Sequence, residues 1–503
     1  MSETSNAEHG QLKRGIGQRQ LSMIAIGGAI GTGLFLASGS TISGAGPGGA
    51  VLCYATIGII VYLMMTSLGE MSTQLPLPGG FQTFSTRFID PALGTMFGWN
   101  YWISWAITLA AEFAAASILM RFWFPDVASW IWAALFFVVL LALNLFSAKG
   151  YAESEFWFSS IKVIAVVVFI IIGVLIICGV GGVHDAGFAN WTHEGTGDMA
   201  GQKGPFVGGF GAFLSAFLVA GFSFQGTEGV GIAAAEAKNP EKTIPKAIKT
   251  VFWRILIFYV LAIAVIATII PFDDGRLLGG SEEDLTMSPF VILFKMIDIP
   301  YAAGIVNFVL LTSVLSAGNS SLYMASRMLY SMGIQKQAPK ILGRTSKAGV
   351  PVIAVCATAA IGALAMLSSL VGLDTIYEFF YNASSVTGFI IWLGISVTHI
   401  RFRLAWKAQG HSVDELKFKA KFFPVGPILA AVVFLIIIVG NVIDMIPGPG
   451  AGADAIIGFA GTFGIIPILI LIYVGYKFIR KTKVVPLKEA DFTMPKEFAP
   501  ISE

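Results

Sequence analysis

The sequence predicts an all-α membrane protein of twelve transmembrane helices, and three observations carry that expectation. Of 503 residues, 55% are hydrophobic and 12% charged, about half the ~25% charge of a soluble domain, and the mean hydropathy is +0.77. The apolar residues gather into stretches of roughly the ~20 residues that cross ~30 Å of hydrocarbon. These lie near 21–39, 47–68, 92–120, 127–147, 157–180, 207–234, 252–271, 298–325, 350–371, 377–400, 424–444 and 456–479. With both termini placed in the cytoplasm, 27 of the 32 Lys+Arg fall on the inner side, as the positive-inside rule requires. A soluble enzyme, a coiled coil and a disordered chain are excluded, because only a lipid-embedded bundle tolerates this much apolar surface.

From the amino end, residues 1–19 form a polar tail without the apolar core and cleavage site of a signal peptide, so the first span is expected to be retained. That span carries Gly27-Gly28-Ala29-Ile30-Gly31-Thr32-Gly33, and the sixth carries Gly221-Phe222-Ser223-Phe224-Gln225-Gly226-Thr227-Glu228-Gly229. Glycine costs about 1 kcal/mol relative to alanine inside a helix, so clustering it at mid-span disfavours a continuous helix. Interrupted segments at matching positions of two halves point to a transporter made of inverted repeats, whereas close helix packing is the alternative for either cluster alone. The pairing divides the chain into a first five-helix repeat (20–181), an outer loop (182–205), a second repeat (206–402), an inner loop (403–423), two further helices (424–480) and a cytoplasmic tail (481–503).

A broken helix frees main-chain groups. The amides of Gly31, Thr32 and Gly33 would stand at the positive end of a half-helix, suited to a carboxylate. Carbonyls near Ala29, Ile30, Phe222 and Ser223 would suit an α-ammonium. Together they form a receptor for the head of an amino acid.

Ionisable residues inside spans cost at least ~2.5 kcal/mol each on insertion scales and are functional candidates for that reason. Tyr101, Trp105, Thr108 and Glu112 share one face of the third span. Rings beside a carboxylate suit a side chain with an aliphatic stem and a cationic tip; a structural hydrogen bond between helices is the alternative. Glu228 follows the sixth-span break, suited to a substrate ammonium, a coupling proton or the capping of freed amides, and Glu236 lies near the inner end as a proton carrier or a solvated acid. Lys162 in the fifth span either snorkels to the surface or carries a proton. The loop from Asp273 to Asp284 holds five acids and is read as solvated, with attraction of cations as the alternative. The three cysteines lie in apolar runs, the five histidines include no pair at metal-ligand spacing, and no metal or nucleic-acid partner is expected.

These stretches resemble the amino acid permeases of the amino acid-polyamine-organocation superfamily over nearly the whole chain. The residues are Ile26-Gly-Gly-Ala-Ile-Gly-Thr-Gly-Leu34, Gly98-Trp-Asn-Tyr-Trp102, Ser223-Phe-Gln-Gly-Thr-Glu-Gly229, Glu236-Ala-Lys-Asn-Pro-Glu-Lys-Thr-Ile-Pro245, Phe252-Trp-Arg-Ile-Leu256, Leu315-Ser-Ala-Gly-Asn319 and Thr398-His-Ile-Arg401. Trp105-Ala-Ile-Thr108, Phe222-Ser-Phe-Gln-Gly-Thr-Glu228 and Met287-Ser-Pro-Phe290 are similar in particular to bacterial lysine-specific permeases and fungal basic amino acid permeases, although Gly229 stands where lysine permeases more often have leucine. The resemblance implies a LeuT-like fold with helices one and six discontinuous, and proton-coupled uptake without a cofactor. It also implies that Phe222 is a gating aromatic and that Lys162 lies between helices one and eight, near Gly27, Ile30 and Ser316, where sodium-dependent relatives hold a cation. The expected function is therefore an L-lysine symporter of the bacterial inner membrane, a membrane-lipid-embedded, multi-pass protein with a possible regulatory membrane partner. A permease for arginine, histidine or a neutral or aromatic amino acid, or a substrate-binding nutrient sensor, is the alternative; no enzyme motif or channel filter is visible.

Overall fold

The computed structural model describes residues 17, 19, 23, 30–146, 148–180, 187–277, 288–296, 301–367, 373–448 and 452–494. In chain order its helices are α1 (Thr32–Phe35), α2 (Ser38–Gln74), α3 (Phe81–Phe88), α4 (Pro91–Met120), α5 (Ser129–Phe146), α6 (Ala148–Ile177), α7 (Gly209–Phe224) and α8 (Gly229–Ala233). They continue with α9 (Pro240–Ile269), α10 (Pro289–Met296), α11 (Ala302–Ile334), α12 (Val352–Gly362), α13 (Leu373–Ala408), α14 (Val425–Met445), α15 (Ala453–Phe463) and α16 (Ile465–Arg480). Among the described residues eight helices are long and apolar enough to cross a membrane, and three shorter apolar ones, Ser129–Leu145, Leu256–Ile269 and Val352–Met366, accompany them. The architecture is all-helical and membrane-spanning.

Local chemistry sets the boundaries. α4 begins where the Asp90 side chain accepts from the Ala92 amide at 2.9 Å, with Pro91 supplying a first-turn residue that has no N–H to satisfy. α2 joins what the sequence separated as the first and second spans: the helix bends at Gly46, whose φ is +78°, just before Pro47. α7 stops at Phe224 and α8 starts at Gly229 after a turn in which Gly226 takes φ +93°, so the sixth span is interrupted. In the first span, Gly31 is extended and helix begins at Thr32. Gly27, Gly28 and Ala29 lie outside the described residues, as do Glu282, Glu283 and Asp284 of the acidic loop.

Burial ranks the helices. In α4, 89% of the apolar window is buried, against 28% in the windows within α6 and α14, which makes α4 the central post and leaves the others facing lipid. The outward residues of α6, such as Trp157, Ile164 and Ile171, are accordingly large, apolar and exposed. α11 and α13 pack along α4, while α2 lies against α7 and α9. The start of α1 touches the end of α7: a Cβ on Gly33 would come within 2.7 Å of Ser223, so only glycine permits that approach.

Candidate functional site

Where the start of α1 meets the break between α7 and α8, the bundle leaves a small space. Gly31, Thr32 and Gly33 line it from α1, Trp105, Thr108 and Glu112 from α4, Phe222 and Gln225 from the break, and Ala317 from α11. Three of the four α4 residues that the sequence singled out therefore reach this space. Tyr101, two turns from Thr108 on the same face, does not line it.

The buried Glu112 carboxylate does not stand free for a side-chain ammonium. Thr32 Oγ1 donates to its Oε1 at 3.1 Å, and the Thr32 amide bonds the same carboxylate. Glu112 thus occupies the end of α1 that a ligand carboxylate would otherwise take, while its Oε2 is buried without a hydrogen-bond partner among the described residues. Ile30 is buried beside this junction, and Ala29 lies outside the described residues.

The break is held from several sides. The Tyr259 hydroxyl donates to the Ser223 carbonyl at 2.7 Å, the Ser223 and Tyr54 hydroxyls are 3.0 Å apart, and the Gln225 amide donates to the Phe222 carbonyl at 3.1 Å. Each of these carbonyls therefore keeps one lone pair for a ligand. Gln225 Nε2 donates to the Ser384 carbonyl at 2.6 Å, and the Ser384 hydroxyl returns a bond to Gln225 Oε1 at 3.0 Å. Ser384 also meets Thr108 at 2.6 Å, which ties α13, the break and α4 together. The Phe222 ring stands edge-on to Tyr381 of α13, centroids 4.7 Å apart, over one side of the space.

Glu228 lies one layer away. Both its oxygens accept from the Gly226 amide, at 3.3 and 3.2 Å, and Oε2 accepts from Trp392 Nε1 at 3.1 Å. Tyr101, whose hydroxyl is 3.3 Å from Met324 Sδ, also bonds Glu228. In this arrangement Glu228 caps the break. Glu236 is buried rather than solvated: Tyr323 donates to its Oε1 at 2.8 Å, and Arg327, stacked over the Tyr323 ring at 4.2 Å, pairs with it at 3.3 Å.

Lys162 is fully buried and lies in the field of two carboxylates, Glu155 and Glu112; it does not snorkel. The sequence reading missed Glu155, Gln225, Ser384, Ala317 and Tyr381. Glu155 had a detectable signal, since it precedes Lys162 by two helical turns on one face, and Gln225 is a polar side chain within the break itself. Nothing in the local sequence tells that α13 supplies Tyr381 and Ser384.

The space at the start of α1 and the break after α7 is walled by two aromatic side chains and a buried acid. The family model for amino acid permeases matches residues 20–489. The chain belongs to the amino acid permease family. It is 46% identical over 493 residues to the lysine-specific permease LysP of Escherichia coli, covering 98% of this chain and 99% of that protein. It is 48% identical to the histidine permease HisP of Lactococcus lactis, covering 97% and 99%, and 40% identical to the lysine-specific permease of Saccharomyces cerevisiae, covering 87% and 71%. The permease is thus a multi-pass membrane protein, and the relatives it matches are transporters rather than enzymes.

Proposed function

We propose that this permease is a proton-coupled symporter importing L-lysine across the bacterial inner membrane by alternating access. Its twelve spans would be two inverted five-helix repeats (20–181 and 206–402) followed by two helices, with both termini cytoplasmic. The eight long helices and three shorter ones leave one span to be completed by α1 together with the residues before it.

The observation that carries the reading is Glu112 seated on the start of α1 in that small space. An incoming amino acid brings its carboxylate to the same amides of Gly31, Thr32 and Gly33. Two carboxylates at one helix start repel unless one is protonated, so binding of substrate favours a proton on Glu112, and the two cross together. Ile30, Phe222 and Ser223 carbonyls would receive the α-ammonium, with Ala29 contributing from the residues before α1. Trp105 would pack the aliphatic stem, with Tyr101 behind it holding Glu228. Lys162, Glu228 and Glu236 would complete the proton route, and no cofactor takes part. Each positive charge entering a negative-inside cell gains ~2.3 kcal/mol per 100 mV, which favours a cationic substrate.

Histidine is the second reading, favoured by the relative named for it at 48% identity. Uptake of radiolabelled lysine into proteoliposomes under an inward acid gradient, with each of the twenty amino acids as competitor, separates the two. Displacement by lysine at the lowest concentration supports the proposal. Displacement by histidine at lower concentration than lysine assigns the permease to histidine, and equal displacement by alanine removes specificity for a cation altogether.

A further inference from the structure

Glu155 has no part in the scheme above, yet it is a fully buried carboxylate. It sits on α6, and Lys162 follows it on the same helix by two turns, ~10 Å along the axis. Side chains on a helix lean toward its N-terminus, so the Lys162 stem is directed back toward Glu155. From α11, Ser316 donates to Glu155 Oε1 at 2.7 Å, and Asn319, itself held by Asn144 of α5 at 2.7 Å, faces it. Ser159 Oγ bridges Glu155 Oε1 at 3.3 Å and the Met23 carbonyl at 3.0 Å, which links the carboxylate to the first span. Glu155 Oε2 remains without a hydrogen-bond partner among the described residues, as does Glu112 Oε2.

One ammonium therefore faces two carboxylates, each with a vacant oxygen. Among the described residues the titratable groups near Glu155 are Lys162 and, through it, Glu112; Ser316 and Asn319 of α11 and Asn144 of α5 are neutral, and Arg19 lies on the ring of the adjacent Phe156 at 3.8 Å. With all three members ionised the cluster carries one uncompensated negative charge on buried side chains. A buried excess charge is neutralised by protonation.

We infer that Glu155 is the positioning residue that makes this permease take up a proton. Its charge claims the Lys162 ammonium, so Glu112 lacks a counter-ion and must bind a proton before substrate. The inference rests on the proposed coupling through Glu112. Without the Glu155 charge, Lys162 and Glu112 neutralise one another and no proton is needed: the cycle runs uncoupled.

The test is Glu155→Gln in proteoliposomes, with two readouts. Lysine-for-lysine counterflow needs no net proton movement, whereas accumulation under an inward acid gradient does. The variant is expected to retain counterflow within about threefold, with a pH profile flatter than the parent, and to lose accumulation at least tenfold; Glu155→Asp restores accumulation. Accumulation equal to the parent overturns the inference, and so does parallel loss of both activities, which assigns Glu155 a structural role. Should Glu155→Gln not fold, Ser316→Ala removes the 2.7 Å bond while keeping the charge. A shifted pH profile of accumulation then supports the inference and an unchanged profile overturns it. A parent protein indifferent to the pH gradient would instead refute the coupling itself, a result distinct from failure of the variant.

Discussion

Two buried clusters of charge lie in this bundle, and they are finished to different degrees. Glu70 of α2 has every position taken: His399 Nε2 lies 3.0 Å from Oε1, Arg403 of α13 reaches both oxygens, at 2.5 Å from Nη2 to Oε2, and the Ala420 amide donates to Oε2 at 2.7 Å. That network fastens α2 to α13 and to the segment before α14. Glu112, Lys162 and Glu155 share a single ammonium and retain two vacant carboxylate oxygens. The fully bonded Glu70 carboxylate has one arrangement and holds elements together, although His399 Nδ1 is buried without a partner among the described residues; carboxylates with an unbonded oxygen can exchange partners, which is what a coupling site needs.

The contrast can be broken most strongly at Lys162. Lys162→Ala is expected to abolish concentration of lysine against its gradient, because loss of one coupled charge lowers the attainable ratio roughly 50-fold per 100 mV of driving force. Accumulation at the level of the parent in reconstituted vesicles would remove Lys162 from the mechanism. Next is Glu70→Gln, which strips the partner from a buried Arg403 and is expected to cost about 3–5 kcal/mol of stability. Thermal unfolding in detergent should show a large drop in midpoint, with counterflow and accumulation falling together in proportion to folded protein. Selective loss of accumulation there would erase the distinction between the clusters. Glu228→Gln weakens the cap on the Gly226 amide and is expected to cost about 0.5–2 kcal/mol, read as a lysine affinity lowered by up to about tenfold; unaltered affinity would show that the break holds without it.

The smallest effect is expected outside the membrane, at the described part of the acidic loop. Burial alone would raise the Asp273 carboxyl, but hydrogen bonds from Thr196 and His193 outweigh it and hold the group below the usual carboxylate range. A depressed carboxyl contributes stability that is present above its unfolded pKa, about 3.9, and is lost as pH falls through the lower folded value. Asp273→Asn should therefore lower the thermal midpoint slightly at neutral pH and converge with the parent in strong acid. A difference that grew on acidification would contradict that sign. Asp274 is paired with Arg276 at 2.5 Å, which offsets one of the two charges on this described stretch.

Hydropathy and glycine placement made the membrane-spanning helices and the interruption at 225–228 legible, because lipid length and backbone cost act locally along the chain. Helix-to-helix partners were not legible in the same way. Glu112 was read as a ligand for a side-chain ammonium or as a structural hydrogen bond between helices; it accepts from Thr32 of α1, and only the approach of α1 to α4 decides what it meets. Glu236 looked solvated beside Lys238 and Lys242, whereas Arg327, 91 residues on, pairs with it. The tail after 480 was read as a plain cytoplasmic extension. Part of it is packed instead: Phe492 lies 5.0 Å from Phe88 and from Trp406 by ring centroids, Arg87 pairs with Asp491 at 3.2 Å, and Arg401 donates to the Val485 carbonyl at 2.5 Å. Two isolated phenylalanines in a charged tail carry too weak a pattern to reveal a docking site 80 or more residues away.

The most direct measurement follows the proton itself. In vesicles loaded with a pH-sensitive dye and clamped in voltage by potassium and valinomycin, external lysine should acidify the interior as it enters, and Lys162→Ala should abolish that signal. Lysine entry at the normal rate with no change of internal pH would contradict the account.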